Sequence, residues 1–351
     1  MSLLVLLAIV LLIIAGHQLL RIIELSRGLK KTKEWQLTDT DNNMMGKAML
    51  WFMILFFVFF FWQVERWMDR SLPPAASEHG VLIDDLWDAN MWLITVIFLI
   101  TNFFLFWFAY KYRGNSKNKA VYYPHNNKLE MLWTVVPAVA LTFIIIFGLK
   151  YWNEIMDDAK EPNRVSIELY AKQFDWTARY AGKDGKLGES DFRQITGSNS
   201  VGIDTADIAG YDDQLAKNEF HIPIGREIEL SMRSRDVIHS AYLPHFRAQM
   251  NCVPGMITYF KFKPTKTTAE MRKDPYTVMM MAGINKQRAK ENKEPVVFDY
   301  LLLCNKICGA SHYNMQMNVV VDTEEDYQAW IAKQPTIKKQ GANKTVAEKT
   351  N

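Results

Sequence analysis

Long apolar segments constrain the fold of this chain more than any other feature of its sequence. Residues 2–25, 48–64, 91–110 and 132–149 are apolar runs, and the last three contain no charged side chain. A helix of about 20 apolar residues crosses a bilayer, and each run is close to that length. Buried helices of a soluble protein are the alternative, but several charge-free runs of this length argue against it. The sequence therefore predicts a membrane region over residues 1–155 with about four transmembrane helices embedded in lipid.

The loops between these segments differ in charge, and this difference predicts the orientation of the chain. The loop between the second and third segments is acidic, whereas the loops on either side are basic, with Arg27, Lys30, Lys31, Lys33 and Lys47 in one and Lys111, Arg113, Lys117, Lys119 and Lys128 in the other. Basic loops stay in the cytoplasm. We therefore expect an integral protein of a bacterial inner membrane, with the region after Lys150 on the periplasmic side. The first segment lacks a basic start and an Ala-x-Ala-like cleavage site, which favours a retained span over a signal peptide.

Short alternating runs replace the apolar segments after residue 155. Seven of these runs are predicted to be strands: 164–171, 174–180, 219–224, 228–233, 257–262, 298–304 and 318–322. Strands of this length separated by turns predict a β-sandwich or barrel over residues 156–335. A short helix is predicted over 324–333, capped by Asp322 or Thr323. Residues 266–294, which are charged and rich in methionine, are predicted to form an insertion, and residues 336–351 a polar tail.

The overall composition excludes several classes of function. A net charge of +3 is too small to indicate a nucleic-acid partner. Three cysteines are too few for a disulfide scaffold, and the absence of a Cys-x-x-Cys-His motif means that this chain offers no site for covalently attached haem.

One short run combines four side chains that bind soft metals: Cys304, Cys308, His312 and Met315. Thiolate and thioether sulfur select copper over hard cations. A dinuclear copper site with two bridging thiolates needs both cysteines on one loop and one imidazole for each ion. We expect the second imidazole to be His239, which follows a predicted strand. The run therefore predicts a copper centre beside a membrane.

The sequence also allows other roles for the cysteine pair. Two such cysteines also occur in structural zinc sites and in redox pairs, but a zinc site usually contains a second close Cys or His pair, which this sequence lacks. A disulfide would leave His312 and Met315 unexplained. His221 and His245 are predicted to be surface or packing residues.

These motifs resemble subunit II of the haem-copper cytochrome c oxidases. The resemblance includes the run from Cys304 to Met315, Asp236–Ser240, Val253–Gly255 and the segment from Glu130 to Pro137. It extends over roughly residues 91–333, and the motifs occur in the order in which the family has them. The resemblance implies a cupredoxin-like sandwich or barrel that carries a dinuclear copper A centre, with no haem bound by this chain.

The resemblance also implies a role for each residue. The bridging ligands would be Cys304 and Cys308, the terminal ligands His239 and His312, and the axial ligands Met315 and the backbone carbonyl of Lys306. The centre would take electrons from a c-type cytochrome and pass them to oxidase subunit I, where oxygen reduction is coupled to proton translocation. Other oxidase subunits of the respiratory chain are expected as partners. Glu130 resembles a carboxylate at the mouth of a proton pathway, or is simply an acid at a helix start.

Three departures from the family pattern change these expectations. The family's magnesium-binding glutamate is Lys306 here, and an ammonium group has no acceptor for a metal, so we expect the magnesium site to be lost. Phe174 replaces the tryptophan through which electrons enter, and Trp176 keeps the second aromatic position. Arg179 replaces an acidic docking residue, which predicts a donor held within a respiratory supercomplex rather than a free basic cytochrome c. The alternative is that docking has moved along the surface.

Two rival functions stay open from the sequence. A quinol oxidase-type subunit II shares the topology but lacks the copper ligands, and a membrane-anchored copper carrier or assembly factor would bind metal without electron transfer. The complete ligand set and the segment from Glu130 to Pro137 favour the cytochrome c oxidase type. The sequence leaves open the identity of the donor, the reduction potential and the role of Cys252.

Overall fold

The computed structural model describes residues 3–29, 38–157, 161–204 and 206–337. The predicted basic residues at positions 30, 31 and 33 and most of the predicted tail, residues 338–351, lie outside the described residues.

Four long helices make up the amino-terminal part of the chain: α1 (Leu3–Leu29), α2 (Asp39–Trp67), α3 (Glu78–Lys111) and α4 (Asn127–Met156). The segments Asp39–Arg70, Glu78–Lys111 and Asn127–Met156 are long and apolar enough to cross a membrane, which confirms three of the predicted spans. The apolar stretch of α1 is shorter, Val10–Ile23, so the first span stays a prediction.

Local interactions set the start and the packing of these helices. The side chain of Asn126 accepts a hydrogen bond from the Leu129 N–H at 3.1 Å and so caps α4. Aromatic side chains fill the contact between α2 and α3, where the rings of Phe60 and Phe98 lie 4.8 Å apart. Such ring pairs add to the stabilisation that burial provides.

Among the described residues after the membrane region are ten strands and three short α-helices. The strands are β1 (Val165–Lys172), β2 (Asp175–Tyr180), β3 (Gln214–Lys217), β4 (Glu219–Pro223), β5 (Ile228–Ser234), β6 (His239–Leu243), β7 (Ala248–Cys252), β8 (Thr258–Phe262), β9 (Tyr300–Cys304) and β10 (Gln316–Asp322). The helices are α5 (Thr268–Met271), α6 (Pro275–Lys290) and α7 (Glu324–Ile331). All seven predicted strands are confirmed, whereas β3, β6 and β7 were not predicted. The side chain of Thr323 caps α7, as one of the two predicted caps.

The strands form two five-stranded sheets, in the orders β3-β2-β1-β5-β8 and β4-β10-β9-β6-β7. The alternating apolar residues of both sheets meet in one core that includes Ile167, Leu230, Ile222 and Val319, each at most 1% exposed. This is the β-sandwich that the alternating runs predict. The predicted insertion lies between β8 and β9 and contains α5 and α6.

The pairing of β6 with β9 places two potential ligands side by side. Ala241 lies opposite Cys304 in this antiparallel ladder, so His239 at the start of β6 projects just beyond the end of β9. The Cys304 N–H donates to the Met315 carbonyl at 3.1 Å, which closes the loop between β9 and β10. We call residues 305–315 the ligand loop.

Candidate metal centre

Four of the predicted ligand atoms, two sulfurs and two imidazole nitrogens, form a chain of short contacts. The Sγ atoms of Cys304 and Cys308 are 3.8 Å apart. His239 Nδ1 lies 3.8 Å from Cys304 Sγ, and His312 Nδ1 lies 3.6 Å from Cys308 Sγ. Each cysteine therefore has its own imidazole, one from β6 and one from the ligand loop.

The two remaining predicted ligands complete the set, one beside each cysteine. Met315 Sδ lies 3.7 Å from Cys308 Sγ, and the carbonyl oxygen of Lys306 lies 3.2 Å from Cys304 Sγ. His239 is fully buried, and Cys304 and Met315 are 9% and 2% exposed. Because little water reaches these atoms, the site favours a metal that prefers soft ligands over the hydrated hard cations that carboxylates bind.

The chemistry of this donor set fits a copper centre and argues against a disulfide. Both cysteines are free thiols, and their 3.8 Å separation is far from the roughly 2.05 Å of a sulfur–sulfur bond. His239, Cys304 and Cys308 have ligand atoms within 4.8 Å of one another. Two thiolates, two imidazoles and a thioether are soft or intermediate donors, which suit copper.

Asp236 orients the imidazole of His239. Its Oδ1 lies 2.8 Å from His239 Nε2, so the proton of the neutral ring belongs on Nε2 and the Nδ1 lone pair faces Cys304. Partial burial raises the pKa of Asp236, but hydrogen bonds from the Gln173 N–H, His239 and the Val237 N–H outweigh it and leave this pKa below its ordinary value. Such a carboxylate–histidine pair is a common way of fixing a metal-binding imidazole.

Burial raises the pKa of two thiols in this region, Cys308 and Cys252. Burial and the neighbouring Cys304 thiol raise the pKa of Cys308 to about 11, so metal binding has to displace a proton from it. Cys252 lies opposite His239 in the β6–β7 ladder, and burial raises its pKa to about 12. With this pKa, Cys252 is a neutral packing residue at pH 7.

The two predicted electron-relay aromatics both adjoin the ligands. The Trp176 side chain is 1% exposed, and its ring lies edge-on to His239 with 6.2 Å between centroids. Phe174 is half-buried and packs against the core. A methyl group built on Gly309 would come within 2.8 Å of the Phe174 ring, so this ring lies directly on the ligand loop.

The expectation that Arg179 faces an electron donor is wrong. Arg179 is 1% exposed, and its Nη2 lies 3.1 Å from Glu168 Oε2 while its Nε lies 3.6 Å from Asp213 Oδ2. Its Nη2 also donates to the Gly188 carbonyl at 2.8 Å. A guanidinium that is paired and buried in this way cannot repel a docking partner. The presence of Arg179 therefore does not indicate which electron donor binds.

The remaining predicted residues have simple environments. Glu130 is exposed in the first turn of α4, and it accepts a hydrogen bond from the Asn126 N–H at 3.4 Å, as an acid at a helix start does. His221 stacks on Trp330 with 4.2 Å between ring centroids. His245 packs edge-on against Phe298. The two histidines were predicted to be surface or packing residues, and their ring contacts correspond to the packing alternative.

Two residues that support the site were not predicted, Asp236 in its orienting role and Gln173. Gln173 lies in the turn between β1 and β2, and its side-chain amide donates to the Cys308 carbonyl. An acid three positions before a candidate histidine ligand is a signal that sequence reasoning could have used. The contact of Gln173 has no local signal, because its partner lies far along the chain.

Comparison with known proteins identifies the family. The profile described as "Cytochrome C oxidase subunit II, transmembrane domain" matches residues 65–151. The "Alternative cytochrome c oxidase subunit 2" of Bradyrhizobium diazoefficiens is 33% identical over 283 residues, which cover 79% of this chain and 89% of the relative. This chain belongs to the cytochrome c oxidase subunit 2 family. The family members are oxidoreductase subunits that transfer electrons through copper A in haem-copper oxidases.

More distant relatives of this subunit 2 chain are similar over much of its length. The "Cytochrome c oxidase subunit 2" of Thermostichus vulcanus is 26% identical over 282 residues, covering 74% of this chain and 77% of the relative. A crystal structure of the periplasmic domain of subunit II of cytochrome oxidase (CoxB) from Bradyrhizobium japonicum is 19% identical, covers 50% of this chain and 94% of that domain, and has a TM-score of 0.30.

Proposed function

We propose that the groups gathered around Cys304 and Cys308 hold the copper A centre that the family implies, and that this chain is the electron-transfer subunit of a terminal oxidase. The bridging ligands are Cys304 and Cys308, the terminal ligands His239 and His312, and the axial ligands Met315 and the Lys306 carbonyl. The observation that carries the proposal is that each cysteine Sγ has a separate imidazole Nδ1 within 3.8 Å. A quinol oxidase-type subunit II, which lacks these ligands, is therefore disfavoured.

When bound, copper A supplies a one-electron acceptor and donor whose charge is shared between two ions. The residues of this chain prepare the site for that role. Asp236 fixes the ring of His239 with its Nδ1 toward Cys304, and the sandwich core shields Cys304, Cys308 and Met315 from water. Because the ligands are held by strand β6 and by a closed loop, their positions need little rearrangement when the charge of the site changes.

The experiment compares two cysteine variants of the assembled oxidase. Cys304→Ser should abolish electron transfer from a reduced cytochrome to the haem of subunit I, while the haem content stays unchanged. Cys252→Ala is the matched control, since Cys252 is a buried cysteine of the same sheet but is assigned no metal, and it should retain transfer. Normal transfer in Cys304→Ser would refute the proposed ligand role, and so would equal losses in both variants.

The donor is proposed to be a c-type cytochrome held within a respiratory supercomplex. The support comes from the surface beside the ligands rather than from Arg179. Lys172 and Asp175, which flank the β1–β2 turn, pair with each other at 3.4 Å, and Asp236 is engaged with His239. The nearby Arg235 is exposed and positive. A surface with this balance of charge gives little steering to a basic soluble cytochrome c.

Salt dependence tests this choice of donor. Oxidation of a free basic cytochrome c by the purified oxidase should be slow and should change little between low and high ionic strength. Rapid oxidation that falls steeply with added salt would contradict the proposal and would indicate docking through an acidic surface elsewhere on the chain.

The protein that covers the exposed surface of the ligand loop is proposed to be subunit I. Ile307 and Tyr313, which stand beside the ligands Cys308 and His312, are 87% and 86% exposed. Exposed large side chains next to the ligands support a protein interface at this place. Lys306 is exposed at the same place, and we propose that its ammonium supplies the positive charge there in place of magnesium. The basic loops support a periplasmic position of the β domain in a bacterial inner membrane.

A further inference from the structure

A third piece of chain, which supplies no predicted ligand, contacts both pieces that do. His239 belongs to β6 and the other ligands to β9 and the ligand loop. The turn between β1 and β2 consists of Gln173 and Phe174, which lie between the ends of these strands. It contacts Asp236, just before β6, and also the middle of the ligand loop. Its position therefore connects the segment that orients His239 with the loop that carries Cys308.

The first contact reaches His239 through one intermediate. The backbone N–H of Gln173 donates to Asp236 Oδ2 at 2.8 Å. The other oxygen of the same carboxylate, Oδ1, lies 2.8 Å from His239 Nε2. Because both carboxylate oxygens are engaged, the direction of the imidazole depends on the position of the turn.

The second contact reaches the bridging cysteine on the opposite loop. The Gln173 side-chain amide donates to the carbonyl oxygen of Cys308. Gly309 follows with a φ of +143°, and a Cβ added there would lie 2.8 Å from Gln173 Nε2. Only glycine permits this approach, since any side chain would push the amide away from the carbonyl.

The exposure of Gln173 separates this role from a general contribution to folding. Gln173 is exposed, and the core beneath the turn is formed by other side chains, among them the buried Trp176. Replacement of an exposed side chain that buries little surface changes the stability of a domain only slightly. The side chain therefore contributes little to core packing, while its amide donates to the ligand loop.

We propose that Gln173 is a positioning residue for the metal centre, which keeps the His239 side and the Cys308 side of the ligand set at a fixed separation. The inference rests on the proposed copper A function. Supporting groups of this kind commonly change metal affinity by about 10- to 100-fold when removed. Loss of the side-chain donor therefore loosens the ligand loop and changes how the two ions share the unpaired electron, while the domain stays folded.

The test uses the assembled oxidase with two variants at one position. Gln173→Met keeps the length of the side chain without a donor, and Gln173→Glu offers only acceptors at neutral pH. Gln214→Met is the matched control, because Gln214 lies in the same sheet and its amide donates to the Ile331 carbonyl at 2.8 Å, with no contact to the ligands. The readouts are copper loss to a chelator, the EPR hyperfine pattern and the unfolding temperature.

Both Gln173 variants should lose copper about tenfold or more faster than wild type, with an altered hyperfine pattern and an unfolding temperature no lower than that of Gln214→Met. A wild-type hyperfine pattern and wild-type copper retention in Gln173→Met would overturn the proposal. Faster copper loss that occurs together with a lower unfolding temperature than that of Gln214→Met would also overturn it. A wild-type oxidase whose chain binds no copper pair would instead refute the proposed function itself.

Discussion

Replacing Arg179 should destabilise the β domain without changing the electron donor. Arg179 is 1% exposed and holds Glu168 and Asp213, which are 4% and 0% exposed. Removal of one partner from a buried ion pair costs about 3–5 kcal/mol, because the remaining charge is left unpaired. Glu168 keeps Arg233, whose Nη2 lies 2.8 Å away, and Asp213 can take up a proton. These two compensations place Arg179→Met at the low end, about 3 kcal/mol.

A loss of about 3 kcal/mol corresponds to a fall of about 6–12 °C in unfolding temperature for a domain of this size. Thermal unfolding of the purified chain in detergent, followed by circular dichroism, measures this change. Arg193→Met is the control, because the Arg193 side chain is 76% exposed, and it should shift stability by no more than about 0.5 kcal/mol. An unchanged unfolding temperature in Arg179→Met would refute the reasoning, as would a variant that now oxidises basic cytochrome c rapidly.

Three further predictions each concern a substitution that removes or introduces one carboxylate. Burial raises the pKa of Asp213 to about 6, above the ordinary value of about 3.9, so its stabilising effect is present below pH 4 and lost as pH rises through 6. The stability of wild type relative to Asp213→Asn should thus decline by up to about 3 kcal/mol from pH 4 to pH 7, measured by urea unfolding, and a flat difference would argue against it. Lys306→Glu should create a manganese EPR signal in oxidase from manganese-grown cells, while manganese bound beside Lys306 in wild type would contradict the loss of the cation site. Glu130→Gln should slow oxygen consumption with copper content unchanged if Glu130 admits protons, and unaltered turnover would leave it the helix-start role alone.

The sequence was most informative where the chemistry is local. Four of the predicted ligand side chains lie in the run from Cys304 to Met315, and their spacing alone brings them close together. The charge-free apolar runs predicted three membrane-capable helices, since length and hydrophobicity decide that outcome without tertiary contacts. The longer strands, with alternating buried residues, followed the same logic.

The failures have physical reasons as well. β3 and β7 are short and rich in polar or small residues, as in Ala248–Cys252, so their pairing depends on neighbouring strands rather than on propensity. Arginine is rarely fully buried, so only the tertiary positions of Glu168 and Asp213 reveal that Arg179 is enclosed. The turn at Gln173 reaches the ligand loop across the sandwich, and that contact likewise has no pattern in the sequence.

Copper stoichiometry and EPR spectroscopy of the purified chain test the central claim most directly. The chain should bind two copper ions, and the unpaired electron of the oxidised form should show hyperfine coupling to both. His239→Ala should disturb this pattern, whereas His245→Ala, which alters a packing histidine, should not. A single blue copper with coupling to one nucleus, or a chain that binds no copper, would contradict the assignment of a dinuclear centre.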